Sequence, residues 1–236
     1  METTSQHIEA ARSSWTFDGV ADRFEGHIES SVPYYRGGHD LICRFCDFFL
    51  RPDSVVYDIG SSTGALARRL LEWNQGRPAL RYIGLDPVQG MVDHAREETR
   101  DDHRATYLVE DIVTYQPGTA TVFVCYYTLQ FVHPAHRQAV LDKIYRSLEW
   151  GGALFLFEKV RGPDARFQDY ASQLYAQFKV DQGFSPDEIY RKAESLKGVL
   201  EPFSSRGNLD LLGRAGFVDI ATIYKWVTFE GWLAIK

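Results

Sequence analysis

Short apolar runs alternate with amphipathic stretches through the middle of the chain. VVYDI (55–59) leads through small residues into ALARRLLEW (65–73), whose apolar positions recur at helical spacing. Continued along the chain, the pattern predicts strands at 54–59, 80–85, 105–109, 120–127 and 152–158. It predicts helices at 64–74, 88–100 and 135–149, with Gly151 and Gly152 marking a turn after the last of these. A further helix over 38–50 precedes the first strand and is stopped by RPD (51–53). Residues 163–214 read as mostly helical. The tail, FVDIATIYKWVTFEGWLAIK, carries two β-branched and aromatic runs that pair as an antiparallel hairpin at the sheet edge.

Strands that alternate with helices build a parallel sheet covered on both faces. The expected fold is therefore α/β: a doubly wound, seven-stranded, mostly parallel, Rossmann-like sheet whose last strand is antiparallel. The chain reads as one domain, 1–236. Residues 1–36 form an N-terminal helical lid or arm, and 160–214 a helical insertion over the pocket.

In such a sheet the ligand lies outside the carboxyl ends of the strands. Those ends hold DIGSSTG (58–64), Asp86-Pro87, Glu110-Asp111-Ile112 and Cys125-Tyr126-Tyr127. An apolar run ending in Asp-x-Gly, a small-residue bend and a helix lets a ligand touch backbone. A second strand ending in an acid supplies an acceptor for ribose hydroxyls. The ligand is thus a nucleoside, gripped at Gly60, Ser61, Ser62, Gly64 and Asp86. The bend lacks the third glycine of the dinucleotide fingerprint, and Asp58 before it would repel a phosphate. S-adenosylmethionine, with an ammonium, a sulfonium and no phosphate, fits these residues. Asp58 is expected at its amino-acid end, Asp86 on the ribose and Asp111 on the adenine, with Ile112 and Val88 bracketing the ring.

Composition narrows the partners. A net charge of −6 argues against nucleic acid as a partner. The start lacks a basic and apolar leader, and no apolar stretch is long enough to span a bilayer. The chain is expected in the cytoplasm, off the membrane. Cys43 and Cys46 sit within an amphipathic helix, so they read as small core residues rather than a redox pair. His133 and His136 lack a carboxylate at ligand spacing and read as surface and cap residues; no metal is expected.

Aromatic residues are abundant, with 5 Trp, 13 Tyr and 15 Phe. Tyr35, Tyr126, Tyr127 and Phe131 fall near strand ends, and Tyr170, Tyr175 and Phe178 in the insertion. Rings that face a desolvated sulfonium stabilise it by about 0.5–2 kcal/mol. Tyr35 and Tyr126 are expected to flank the sulfur. Tyr126 and Tyr175 are the candidate catalytic residues, with Asp58 a further candidate base.

SSVPYY (30–35), DIGSSTG (58–64), LDP (85–87), TLQFVHPAHRQAVLDKIYRSLEWGGALFLFEK (128–159), GFSPDEI (183–189) and the tail resemble the carboxy-S-adenosylmethionine synthases. These belong to the class I methyltransferase-like superfamily, and the likeness covers about residues 17–236. The resemblance implies a dimer with a seven-stranded sheet that binds an S-adenosylmethionine-type cosubstrate. It implies a family activity in which a carboxyl group moves from prephenate onto that molecule, making a donor for tRNA wobble-uridine modification. It places Tyr35, Gly60, Ser61, Ser62, Asp86, Pro87, Asp111 and Ile112 on cofactor positions. Two positions depart. Tyr126 stands where the family has asparagine, and Ala193 where it has the arginine that anchors the extra carboxylate.

With that anchor gone, the scaffold is expected to be kept and the second-substrate chemistry changed. The expected activity is that of an S-adenosylmethionine-dependent transferase in secondary metabolism, moving methyl to a small acceptor. Three alternatives stand beside it. One is closure of the cosubstrate's own aminobutyrate chain to azetidine-2-carboxylate with release of methylthioadenosine. The others are carboxy-S-adenosylmethionine synthesis and a non-catalytic binding subunit.

Overall fold

The structure, a computed structural model, describes residues 21–236. Part of the expected N-terminal arm, including Trp15 and Phe17, lies outside the described residues. Helix α1 (Ala21–Ser31) leads through Pro33 into α2 (Tyr35–Cys46). Alternation follows: β1 (Val55–Ile59), α3 (Ala65–Trp73), β2 (Arg81–Asp86), α4 (Gln89–Glu98), β3 (Ala105–Val109), β4 (Ala120–Tyr126), α5 (Pro134–Ser147) and β5 (Leu148–Lys159). A 3-10 turn, Leu129–Phe131, links β4 to α5. Between β5 and the tail lie α6 (Ala165–Asp181), α7 (Pro186–Ser195) and α8 (Ser205–Ala215), of which α8 packs on α5 in the core rather than over the pocket, and β6 (Asp219–Trp226) and β7 (Phe229–Ile235) close the chain.

The seven strands run in the order β3-β2-β1-β4-β5-β7-β6. The first five pair in parallel, and β7 pairs antiparallel with both β5 and β6. The tail hairpin thus forms as its sequence pattern implies, with β7 inserted inside and β6 at the edge. Strand order reverses between β1 and β4, which opens a crevice at their carboxyl ends.

Period-two alternation sorts the core onto two faces. Val56, Val122, Val124, Phe155 and Phe157 pack with Ile42, Leu70 and Val92 of α2, α3 and α4. Val55, Tyr57, Ile59, Phe123, Leu154 and Leu156 pack with Leu141 and Ile144 of α5 and Leu212 of α8. Cys43 and Cys46 are buried in the first layer as free thiols, and burial pushes the Cys43 thiol up to about 12. Among the described residues, no helix is long and apolar enough to cross a membrane.

Several boundaries differ from the sequence pattern, among them the C-terminus of the helix expected over 38–50, which ends at Cys46. Helix α5 ends at Ser147, not at 149, because Leu148 joins β5 beside Ala120. The register shifts after that pair, and Gly151 absorbs the irregularity at φ +78°. Helix α2 starts at Tyr35 rather than 38, behind Tyr34 in the left-handed conformation at φ 55°. That kink turns the chain from α1 into α2 and sets Tyr35 on the first helical turn.

Candidate functional site

The bend after β1 is shaped by three residues with positive φ: Gly60 at +74°, Ser62 at 50° and Gly64 at +75°. The N–H groups of Gly60 and Ser61 both donate to the Leu85 carbonyl, at 2.7 and 3.0 Å, and lock the bend to the end of β2. A Cβ on Gly60 would fall 2.6 Å from Thr128 Cγ2, so only glycine fits between the bend and the β4 end. Gly64 caps α3, and a Cβ there would meet the Tyr107 hydroxyl at 2.8 Å. Its role is packing, and it does not line the cleft.

Asp86 is clasped. The Ser62 N–H donates to its Oδ2 and the Val88 N–H to its Oδ1, each at 2.9 Å. Burial raises its pKa, against the lowering effect of these two bonds. Each carboxylate oxygen keeps a second lone pair, and the residue lines a cleft of about 690 Å³. Gly60, Ser62, Pro87, Val88 and Met91 line the same end. A smaller cleft of about 320 Å³ adjoins it, sharing Gly60, Pro87, Thr128 and Phe131. There the structure places Asp111 and Ile112 together with His133 and His136. Asp111 Oδ1 accepts from the Val113 N–H at 2.8 Å, which fixes the side chain in a turn. His133 caps α5, accepting from the Ala135 N–H at 3.2 Å.

Besides Gly64, two expected contact residues lie elsewhere. Asp58 is 2 % exposed, accepts a hydrogen bond from the Tyr82 hydroxyl and does not line the cleft. Burial is the main reason its pKa is pushed up to about 7. Its alternation sets it on the α2–α3 side of the sheet, beneath the bend. The Ser61 side chain is also buried, and its hydroxyl oxygen finds no hydrogen-bond partner.

Aromatic rings form the next wall. Tyr35 and Tyr126 stand edge to face at 5.1 Å, and Tyr126 meets Tyr127 at 4.7 Å. The Tyr126 hydroxyl donates to the Tyr35 carbonyl at 2.6 Å, and that of Tyr175 to the Ser31 carbonyl at 2.8 Å. Burial raises both phenols above their ordinary range. Neither hydroxyl is disposed to take a proton, because each already donates its own to a carbonyl. What both residues offer the cleft is ring surface. Tyr127 sits at φ 61°, held by Gln130. The Gln130 amide donates to the Tyr127 carbonyl at 3.2 Å, and its Oε1 accepts from the Lys159 N–H at 2.9 Å, so one side chain spans the ends of β4 and β5.

Helix α1 forms one wall of the cleft. Phe24, His27, Ile28 and Ser31 line the cleft. Glu25 accepts from Thr63 Oγ1 at 3.0 Å and pairs with Arg68, which ties the helix to the bend.

Sequence reasoning missed the cations. Lys159, Arg161, Lys179, Lys192 and Lys197 all line the cleft, as does Ala193. Burial lowers the ammonium groups of Lys159 and Lys179 to about 8 and that of Lys192 to about 7. Lys159 ends a strand, so the rule that directed attention to Asp86 could have found it. Lys179 and Lys192 lie on separate helices, and no local pattern connects them.

Comparisons with known proteins agree with the fold. Residues 56–152 match the family described as "Methyltransferase domain". The chain is 34% identical over 224 residues to a carboxy-S-adenosyl-L-methionine synthase of Staphylococcus epidermidis, covering 94% of this chain and 97% of that protein. It is 33% identical over 218 residues to the protein of the same name in Campylobacter lari, covering 92% of each. Human N-acetylserotonin methyltransferase, solved in complex with SAM, superposes with a TM-score of 0.60 at 16% identity over 92% of this chain. The S-adenosylmethionine-dependent methyltransferase SibL superposes at 0.59, with 17% identity over 86%. The chain spans 55% of the length of each of these solved chains, and at such identity they show the fold alone.

Proposed function

The chain belongs to the carboxy-S-adenosyl-L-methionine synthase family, and from that premise we propose that it transfers the methyl group of S-adenosylmethionine to a small acceptor. It is an S-adenosylmethionine-dependent transferase with a methyltransferase domain. We propose further that it acts in small-molecule metabolism rather than on nucleic acid or a membrane. The family likeness supports a homodimer, which light scattering measures.

The residues present fit the cosubstrate. The carrying observation is the clasped Asp86: a carboxylate aimed by two N–H groups beside a bend that a Cβ at Gly60 would block. Asp86 would accept from the ribose hydroxyls, and Asp111, Ile112, Pro87 and Val88 would hold the adenine. The rings of Tyr35 and Tyr126 would face the sulfur. Asp58 would act indirectly, through its bond to Tyr82 under the bend. When bound, S-adenosylmethionine supplies a carbon activated by a positively charged sulfur. The protein's task is then alignment and exclusion of water, which can be worth about 7–11 kcal/mol. Helix α1 over the cleft and the aromatic wall serve both.

A second reading is ring closure to azetidine-2-carboxylate with release of methylthioadenosine. One observation favours it. Lys159, Arg161 and Lys179 line the cleft, and positive charge close by favours the neutral form of a substrate amine. A neutral amine is a nucleophile that needs no base, and Tyr126 and Tyr175 are not placed to supply one.

Incubation with S-adenosylmethionine, read by mass spectrometry, tests these readings. Demethylated cosubstrate that forms only with an added amine or acid acceptor supports methyl transfer. Methylthioadenosine formed without any acceptor supports closure instead. A carboxylated cosubstrate formed with prephenate assigns the activity in the relatives' name, and tight binding without turnover assigns a non-catalytic subunit.

A further inference from the structure

Thr128 and Phe131 line both the larger and the smaller cleft, so the turn after β4 is the partition between them. A turn this short satisfies only part of its own backbone. The Phe131 and Val132 N–H groups bond back to the Thr128 and Leu129 carbonyls, each at 3.0 Å. The Leu129 and Gln130 N–H groups and the Gln130 and Val132 carbonyls need partners from elsewhere, because an unpaired backbone group away from water is costly.

Two buried side chains that line neither cleft supply them. Side-chain parity turns Glu158 of β5 away from Lys159 and onto the α5 face, with Leu154 and Leu156. There its carboxylate accepts from the Leu129 and Gln130 N–H groups. Its Oε1 has no hydrogen-bond partner among the described residues, so the other oxygen carries both bonds. Arg137, in the first turn of α5, serves the carbonyls. Its Nε donates to the Val132 carbonyl at 2.8 Å and its Nη2 to the Gln130 carbonyl at 3.0 Å. The third arm, Nη1, donates to the Glu201 carbonyl at 2.7 Å, and the Glu201 N–H returns to the Gln130 carbonyl at 3.2 Å. Leu200, Glu201 and Pro202 line the larger cleft, so one guanidinium ties the partition to the wall beyond α7. Reaching three carbonyls at once takes the planar fork of an arginine.

We infer that Glu158 and Arg137 are positioning residues: an acceptor on the N–H groups and a donor on the carbonyls of residues 128–132 clamp the partition and so set the shape of the site. Both act through the turn, since neither side chain reaches a cleft. The effect on cosubstrate binding rests on the S-adenosylmethionine reading, whereas the clamp on the turn does not.

Hydrogen exchange of the full chain, read by mass spectrometry over residues 128–133, tests this beside S-adenosylhomocysteine calorimetry. Glu158→Leu removes the acceptor. The turn amides should then exchange faster by about tenfold or more and the affinity should fall about as far, with exchange in β1 and β2 unchanged. Glu158→Gln keeps one oxygen for both N–H groups and should hold both readouts within about threefold of wild type. Arg137→Lys keeps the buried cation but cannot fork to three carbonyls. It should speed exchange at the same turn, and it stands in for the leucine variant should that one not fold. A lower melting temperature with the turn's exchange and the affinity both unchanged would mean bulk stability alone and overturns the inference. Weakened affinity without faster exchange in the turn overturns it as well. Faster exchange in a protein whose wild type ignores S-adenosylhomocysteine would sink the cosubstrate reading and leave the clamp standing.

Discussion

The Tyr126 hydroxyl donates to the Tyr35 carbonyl at 2.6 Å, joining the carboxyl end of β4 to the first turn of α2. Through this bond the central strand of the crevice and helix α2 hold each other in place. Ring and hydroxyl therefore have separable parts, and substitution can tell them apart.

Tyr126→Phe removes the donor and leaves a carbonyl short of a partner, which should cost about 1–3 kcal/mol of stability. It keeps the ring, so turnover of S-adenosylmethionine should survive within a few fold. Tyr126→Ala should slow turnover far more than it weakens S-adenosylhomocysteine binding. Loss of activity in the phenylalanine variant at intact folding would restore a proton-transfer role to the hydroxyl.

Gly38 sits on α2 against the same ring, and a Cβ there would lie 2.9 Å from Tyr126 Cζ. Gly38→Ala should destabilise by about 1–3 kcal/mol through overpacking, despite alanine's better helix propensity. In a Tyr126→Ala background the same change should be neutral or stabilising. Thermal melts of the four proteins give the coupling, and simple additivity would contradict the contact.

Asp86→Ala should weaken S-adenosylhomocysteine binding by about 10-fold or more, since a charge-assisted bond is worth about 1.5–3 kcal/mol. The side chain also accepts from the Ser62 and Val88 N–H groups, so the variant loosens the bend as well. Asp86→Asn keeps one acceptor and should bind with intermediate affinity. Full affinity by calorimetry in the alanine variant would show that the ribose acid is misassigned.

His39 is buried and its pKa lowered to about 3 by desolvation, with Arg69 and Arg68 adding to it. Its folded pKa lies below the ordinary 6.5, so the unfolded chain binds the extra proton first. Its contribution to stability is intact above 6.5 and falls by about 1.4 kcal/mol per unit as pH drops toward 3. Asp58 acts oppositely. Its folded pKa, raised to about 7, makes its contribution fall as pH rises from about 4 to 7. Relative to wild type, His39→Gln should therefore lose stability as pH rises across this window, and Asp58→Asn should gain it. Urea unfolding at pH 4.5 and 6.5 measures both slopes, and equal slopes in the two variants would refute the assignment.

Much of this site is readable in the chain because its parts are local. Asp86 ends an apolar run, Gly60 follows another, and each is fixed to its own strand end. Asp58 is read less well from the same segment. Side-chain parity turns it away from the crevice, and its partner Tyr82 lies on a neighbouring strand. Tyr126 was found as a strand-end residue, but the bond that occupies its hydroxyl crosses from residue 126 to residue 35.

The order of apolar runs and helical patterns is enough to dictate a doubly wound sheet, because periodicities of two and 3.6 are properties of the backbone alone. The bend and its ribose acid follow from that order. Which cations meet in the cleft depends instead on how α6 and α7 fold back over β5. Lys159 and Lys179 approach one ring because the insertion packs there, an outcome of long-range burial that no spacing along the chain encodes.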